Sequence, residues 1–179
     1  MVAVYGSSRA LPGDGVYEQG VELGRRLAEA GFGVTNGGYS GLMEATSKGA
    51  ANAGGRVVGV TAPVLFPHRP GGNDFLTEEI QAAGLLDRIS TMSELASAYI
   101  VMPGSIGTLT ELAIAWNEAY LAAGRGAAPA PILAFRDAWS EIVDRLTGDL
   151  RTTPGMITMV DSPAEAVEVL LRRLGAGAP

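Results

Sequence analysis

The chain has 179 residues, 47% of them hydrophobic and 18% charged, with a formal net charge of −6; that length suits one domain with its own core, and an acidic chain without a basic run is a poor binder of nucleic acid. It has no cysteine, which excludes disulfides, a thiol nucleophile and a thiolate metal site. One histidine, His68, and one lysine, Lys48, leave no pair of histidines for a metal and one candidate for an imine.

Val2–Tyr5 is an apolar run that stops in Gly6-Ser7-Ser8, a strand running into a polar turn. Because the chain opens directly on a strand, and no apolar run approaches the roughly 20 residues of a membrane span, neither a leader nor a membrane segment is expected, and the expected compartment is the cytoplasm. Val16–Ala30 places apolar residues at helical spacing and ends in Gly31. Gly33–Thr35 reads as a short strand, followed by Asn36-Gly37-Gly38, then a helix over Gly41–Ala53 and a β-branched strand over Val57–Thr61. From Ala62 to Asp74 the composition turns to Pro, Gly and Asn, so a long loop is expected, with His68 exposed on it. It either closes over a ligand or covers a sheet edge. A short strand within Phe75–Ala82 precedes a helix over Leu85–Ala96, a strand over Ala98–Met102 and a helix over Gly107–Ala122. Ile132–Phe135 (strand), Trp139–Leu150 (helix), Ile157–Val160 (strand) and Pro163–Leu174 (helix) complete the chain.

Strands that are continuous apolar runs, alternating with helices, indicate a mostly parallel sheet covered on both faces. The expected fold is a single doubly wound, Rossmann-like α/β domain over residues 1–179. Ligands of such sheets sit beyond the carboxyl ends of the strands. Three strands end there in polar or glycine-rich turns: Gly6-Ser7-Ser8, Asn36-Gly37-Gly38 and Pro103-Gly104-Ser105.

Pro103–Glu111 carries two readings. Gly104 and Gly107 admit a close ligand, Ser105 and Thr108 offer hydroxyls, and the following helix offers unpaired N–H groups, which together make a phosphate cradle. Equally, Thr108-Leu109-Thr110-Glu111 fits a capping box, with Thr108 as N-cap and Glu111 at N3. Arg88 has a similar ambiguity, because Asp87 and Glu94 are within helical reach of it on a surface. Asn36–Met43 holds three glycines in the six residues from Asn36 to Gly41, more than a turn into a helix needs. Met43, Met92 and Met102 read as core or pocket lining, and Glu78 and Glu79 as a solvated edge.

Taken in order, Gly6-Ser7-Ser8, Asn36–Met43, Arg88 and Pro103–Glu111 resemble the LONELY GUY family of cytokinin-activating phosphoribohydrolases, once labelled lysine decarboxylases. That family's signature is Pro-Gly-Gly-x-Gly-Thr-x-x-Glu, with a catalytic arginine on the preceding helix. Here it reads Pro103-Gly104-Ser105-Ile106-Gly107-Thr108-Leu109-Thr110-Glu111, with Arg88 fifteen positions before Pro103. The resemblance covers roughly residues 2–160. It implies a Rossmann-like homodimer, without metal or organic cofactor, that hydrolyses the N-glycosidic bond of a nucleoside 5′-monophosphate, N6-prenylated AMP or AMP itself. By the same resemblance Gly104, Ser105, Gly107 and Thr108 would hold the phosphate. Glu111 would stabilise the cationic sugar or position water, Arg88, the second catalytic residue, would orient Glu111 and the ribose, and Gly6, Ser7, Ser8, Gly37 and Gly38 would line the nucleotide. The chain departs from the pattern at Ser105, which replaces a glycine, at Ile89, where a lysine usually follows the arginine, and in a glycine-rich segment one residue shorter. A lysine decarboxylase would need an imine lysine, and Lys48 lacks any surrounding cofactor motif. The competing class is a non-catalytic nucleotide or molybdenum-cofactor carrier of the same fold, which has no need for both Arg88 and Glu111 at the sugar.

Overall fold

The computed structural model describes residues 1–69 and 71–175; Pro70, inside the expected long loop, and residues 176–179 lie outside them. The elements alternate through the chain: β1 (Val2–Tyr5), α1 (Gly15–Glu29), β2 (Val34–Asn36), α2 (Leu42–Asn52), β3 (Val57–Thr61), β4 (Glu78–Gln81), α3 (Leu85–Leu95), β5 (Ala98–Val101), α4 (Ile106–Gly124), β6 (Ile132–Phe135), α5 (Arg136–Asp149), β7 (Ile157–Val160) and α6 (Pro163–Leu174). All seven strands pair in parallel in the order β4-β3-β2-β1-β5-β6-β7. The fold is therefore the Rossmann-like α/β arrangement that the sequence pattern predicts.

The continuous apolar strands have a direct cause. On β1, Val2 and Val4 enter one core with α1, α2 and α6, while Ala3 and Tyr5 enter the other with α3, α4 and α5. Both faces of the strand are buried, so no polar alternation survives. The chain builds outward from β1 to β4, then returns through α3 to place β5 on β1's free side, with Val2 opposite Ala98 and Tyr5 opposite Val101. The gap between β1 and β5 is the topological switch point, where loops leaving adjacent strands diverge to opposite faces and open a crevice.

Pairing continues past the strand ends. The Met102 N–H donates to the Tyr5 carbonyl (2.9 Å), the Ser7 N–H to the Pro103 carbonyl (3.0 Å), and the Leu42 N–H to the Ser7 carbonyl (2.8 Å). The turns after β1 and β5 are thus bonded to each other, and the turn after β1 to the start of α2, at the carboxyl edge. The Trp139 indole, reaching from α5, donates to the Met102 carbonyl at 3.0 Å and fixes the end of β5.

Candidate active site

The helix after the signature begins three residues before the capping-box register expects. Ser105, extended at φ −119° and ψ −162°, is the N-cap of α4, and no side chain caps this helix. Thr108 is therefore inside the first turn, buried, and Glu111 is the sixth helical residue. The capping-box reading is corrected: Glu111 has no backbone N–H to cap, and its carboxylate is left for the crevice. Gly104 is needed for this geometry, since a Cβ there would run into the Thr108 side chain. The first-turn N–H groups of α4 have no intrahelical acceptor and point at the switch point, together with the positive end of the helix dipole.

Arg88 does not pair with Asp87 or Glu94 on a surface. The Asp87 carboxylate accepts from the Ala83 N–H (2.7 Å), and Glu94 accepts from the Ser90 hydroxyl (3.2 Å). Arg88 itself is 7% exposed. Its Nε donates to the Val60 carbonyl at 2.7 Å and its Nη2 to the Gly37 carbonyl at 3.0 Å, while Nη1 lies 3.8 Å from Glu111 Oε1. The guanidinium thus joins the ends of β3 and β2 to α4. Gly37 is needed for this placement of Arg88, because a Cβ there would occupy the position of Arg88 Nη2. This accounts for one of the surplus glycines in Asn36–Met43. Asn36 accounts for the turn itself: its amide donates to the Met43 carbonyl at 3.0 Å and to the hydroxyls of Thr46 and Ser47, and its carbonyl oxygen accepts from the Gly38 N–H.

Burial dominates the electrostatics of the pair. The Glu111 side chain keeps 14% of its surface exposed, and loss of water pushes its carboxyl from 4.5 up to about 7, against the opposing pull of Arg88. Burial likewise lowers the Arg88 pKa, and Glu111 restores part of that loss. An ion pair this deep, at 3.8 Å and without a direct hydrogen bond, does not repay its desolvation by itself. It stores a carboxylate whose charge state changes near neutrality beside a fixed cation, the condition expected of a working site rather than of a structural brace.

The crevice is a cavity of about 150 Å³. Its wall brings together Gly6, Ser8, Gly37, Arg88, Ser105, Gly107, Thr108 and Glu111. Three other residues from the expected set stand elsewhere. Ser7 and Gly104 line a separate shallow groove with Arg9 and Asp14, and Gly38 packs on Gly59 and Thr61. The wall also holds residues that the sequence pattern does not single out: Tyr5, Tyr39, Phe66 and Arg69. Phe66 and Arg69 arrive on the long loop after β3, which is moored at both ends to the glycine-rich turn. The Ala62 N–H donates to the Tyr39 hydroxyl (2.8 Å), and the Asn73 amide donates to the Gly38 and Tyr39 carbonyls (3.1 Å each). This loop thus brings Phe66 and Arg69 to the cavity wall. Met43 lines the cavity too, whereas Met92 and Met102 are core. Among the described residues no group of three or more His, Asp or Glu side chains could hold a metal ion, and no helix is long and apolar enough to cross a membrane.

Comparison with known proteins gives this geometry a context. The profile of the SLOG cluster4 family matches residues 1–124. The chain is 37% identical over 102 residues to the cytokinin riboside 5′-monophosphate phosphoribohydrolase LOG of Oryza sativa subsp. japonica, covering 55% of this chain and 41% of that protein. It is 33% identical over 121 residues to the cytokinin riboside 5′-monophosphate phosphoribohydrolase of Mycobacterium tuberculosis, covering 67% and 64%. The matched part thus spans about half the length of the curated relatives. Among solved structures, the molybdenum cofactor binding protein from Rippkaea orientalis superposes with a TM-score of 0.75 over 97% of this chain and 96% of that one, at 21% identity, a likeness of fold. With the family profile covering well over half of its length and the signature seated at the crevice, the chain belongs to the SLOG cluster4 family and is a relative of the LONELY GUY phosphoribohydrolases.

Proposed function

We propose that this protein is a phosphoribohydrolase acting on a purine nucleoside 5′-monophosphate, releasing the free base and ribose 5-phosphate. The observation that carries the reading is the buried Arg88–Glu111 pair beside the first turn of α4. A protein that only carried an anionic ligand would lose affinity by burying a carboxylate next to it. A glycosidase needs one, because departure of the base leaves an oxocarbenium-like sugar whose positive charge a carboxylate stabilises.

In this reading the 5′-phosphate lies against the first turn of α4, with the Ser105 and Thr108 hydroxyls and the free N–H groups around it. Phosphate binding, remote from the bond that breaks, orients the ribose. Glu111, one turn further along the same helix, faces the anomeric carbon. The C–N bond to the base breaks, a C–O bond to water forms, and the proton that water loses balances the proton that the base gains. Arg88 is a positioning residue: tied to Val60 and Gly37 through their carbonyls, it fixes Glu111 without competing for the phosphate. The reaction uses no cofactor, and its nucleotide substrates are those of the cytoplasm.

The test is release of base. Purified protein is incubated with AMP, GMP and isopentenyladenosine 5′-monophosphate, and free base is followed by chromatography, with Glu111→Ala as control. Release by the wild type alone supports the proposal, and relative rates show whether N6-prenylated nucleotides belong to the substrate class. Nucleotide binding without any release points to the carrier reading instead. We also propose that the protein forms a homodimer through the α3–α4–α5 face, where Leu86 and Ile106 are each 75% exposed and Leu150 69%. A monomer in light scattering at micromolar concentration would refute this.

A further inference from the structure

The cavity contains two arginines in very different states. Arg88 has its donors committed to the Val60 and Gly37 carbonyls and to Glu111. Arg69 is packed against two aromatic rings. Its guanidinium carbon lies 4.5 Å from the Tyr39 ring centroid and 4.4 Å from that of Phe66, and those two rings meet edge-on at 5.2 Å. Among the described residues, no hydrogen bond or ion pair is formed by the Arg69 side chain. The two rings stand at 73° to one another, so the guanidinium lies between two aromatic surfaces, and its N–H fork is left without an acceptor.

The order of contacts across the cavity places this fork. Glu111 touches Arg88, Arg88 stands 5.8 Å from the Tyr39 centroid, and Arg69 stacks on Tyr39 in turn. Glu111, on α4, is one end of this series and Arg69 the other. Tyr39 and Phe66 supply aromatic surface at the Arg69 end. A nucleotide with its phosphate at α4 and its anomeric carbon at Glu111 therefore extends its base toward these rings and this fork.

We infer that Arg69 selects the base, and that the preferred substrates are 6-oxopurine nucleoside 5′-monophosphates, with guanine or hypoxanthine, over AMP; the inference rests on the proposed placement of the nucleotide. A guanidinium fork pairs with two adjacent acceptors, and the O6 and N7 atoms of a 6-oxopurine present that pair. Adenine presents an acceptor at N7 beside a donor at N6, so one arm of the fork meets an N–H. The same mismatch holds for an N6-substituted adenine. Discrimination by one bidentate pair of this kind is roughly ten- to a hundredfold. Glutamine, which carries one donor and one acceptor, matches the adenine edge instead.

The test measures binding separately from turnover. Affinities for GMP and AMP are measured by titration calorimetry in a Glu111→Gln background, alone and combined with Arg69→Gln or Arg69→Lys, and base release from both nucleotides is measured with the otherwise unaltered protein. The expected result is GMP bound at least about tenfold more tightly than AMP. Arg69→Gln should bring that ratio to one or below. Arg69→Lys, which keeps the charge and loses the fork, should shrink the ratio while both nucleotides still bind. Equal affinity for GMP and AMP, or a GMP preference untouched by Arg69→Gln, overturns the inference. An Arg69-dependent GMP preference without base release would leave the inference standing and remove the hydrolase. Equal release and equal binding of the two would do the reverse.

Discussion

Replacing Glu111 by glutamine removes a charge and little else, so its consequences can be worked out in advance. The carboxyl ordinarily titrates at 4.5 and in the folded protein at about 7. A folded value raised above the unfolded one means that the protonated form fits the fold better. Stability from this group is fully present below pH 4.5 and is lost as pH rises through 7, because the folded chain must then ionise a buried acid. The displacement corresponds to about 3 kcal/mol, a sizeable part of the 5–15 kcal/mol that typically holds a domain folded. Glu111→Gln lacks this penalty. Urea unfolding of both proteins at pH 5 and pH 8.5 should show the variant gaining about 2–3 kcal/mol on the wild type between the two conditions, while nucleotide binding persists and base release is lost. Parallel pH dependences would refute the claim that burial dominates Arg88's pull on this carboxyl. Retained turnover would refute its place in the chemistry.

Three further substitutions probe the frame around it. Gly37→Ala puts a methyl group where Arg88 Nη2 lies; the protein should fold, since Arg88 can swing toward the cavity, but base release should fall by at least about a hundredfold as Glu111 loses its neighbour. Arg88→Lys keeps a cation but lacks the planar fork that reaches the Val60 and Gly37 carbonyls together; the expected loss is about 3 kcal/mol of stability by denaturant titration and a drop in turnover larger than the change in nucleotide affinity. Gly49→Ala tests packing far from the cavity, where α1 and α2 touch so closely that a Cβ would strike the Val21 carbonyl. It should cost about 2–3 kcal/mol of stability, with kcat nearly unchanged in the fraction that remains folded.

The order of elements and the parallel sheet were legible because both faces of the sheet are covered, which writes itself into the chain as uninterrupted runs such as Val57–Thr61. The crevice was legible too, as three strand ends closing in polar turns. Glu111 was ambiguous for a local reason. Thr108-Leu109-Thr110-Glu111 is a good capping box in isolation, and only the start of α4 at Ile106, set by Pro103-Gly104-Ser105 leaving β5, shifts the register and frees the carboxylate. Arg88 was ambiguous because its partners are backbone carbonyls 28 and 51 residues away, which leave no trace in side-chain spacing. Tyr39, Phe66 and Arg69 were hidden altogether. A turn tyrosine and two residues of a proline-rich loop carry no periodic signal, and what unites them is the pair of moorings at Ala62 and Asn73.

Those moorings divide the crevice into two parts with separate supports. The carboxylate, its arginine and the α4 turn rest on the sheet, on the bonded strand-end loops and on the buried Asn36 network, so a change in any of them is felt throughout. The segment between Ala62 and Asn73 is tied to that frame at its two ends and by the packing of Phe66 and Arg69 on Tyr39. Its composition and length can therefore drift while the frame stays intact, and each variant presents a different set of groups to whatever sits over the same reacting carbon. In the proposed placement of the nucleotide, the side chains facing the base sit on this loop and the reacting carboxylate on the sheet-backed helix, so the two sets can be substituted independently.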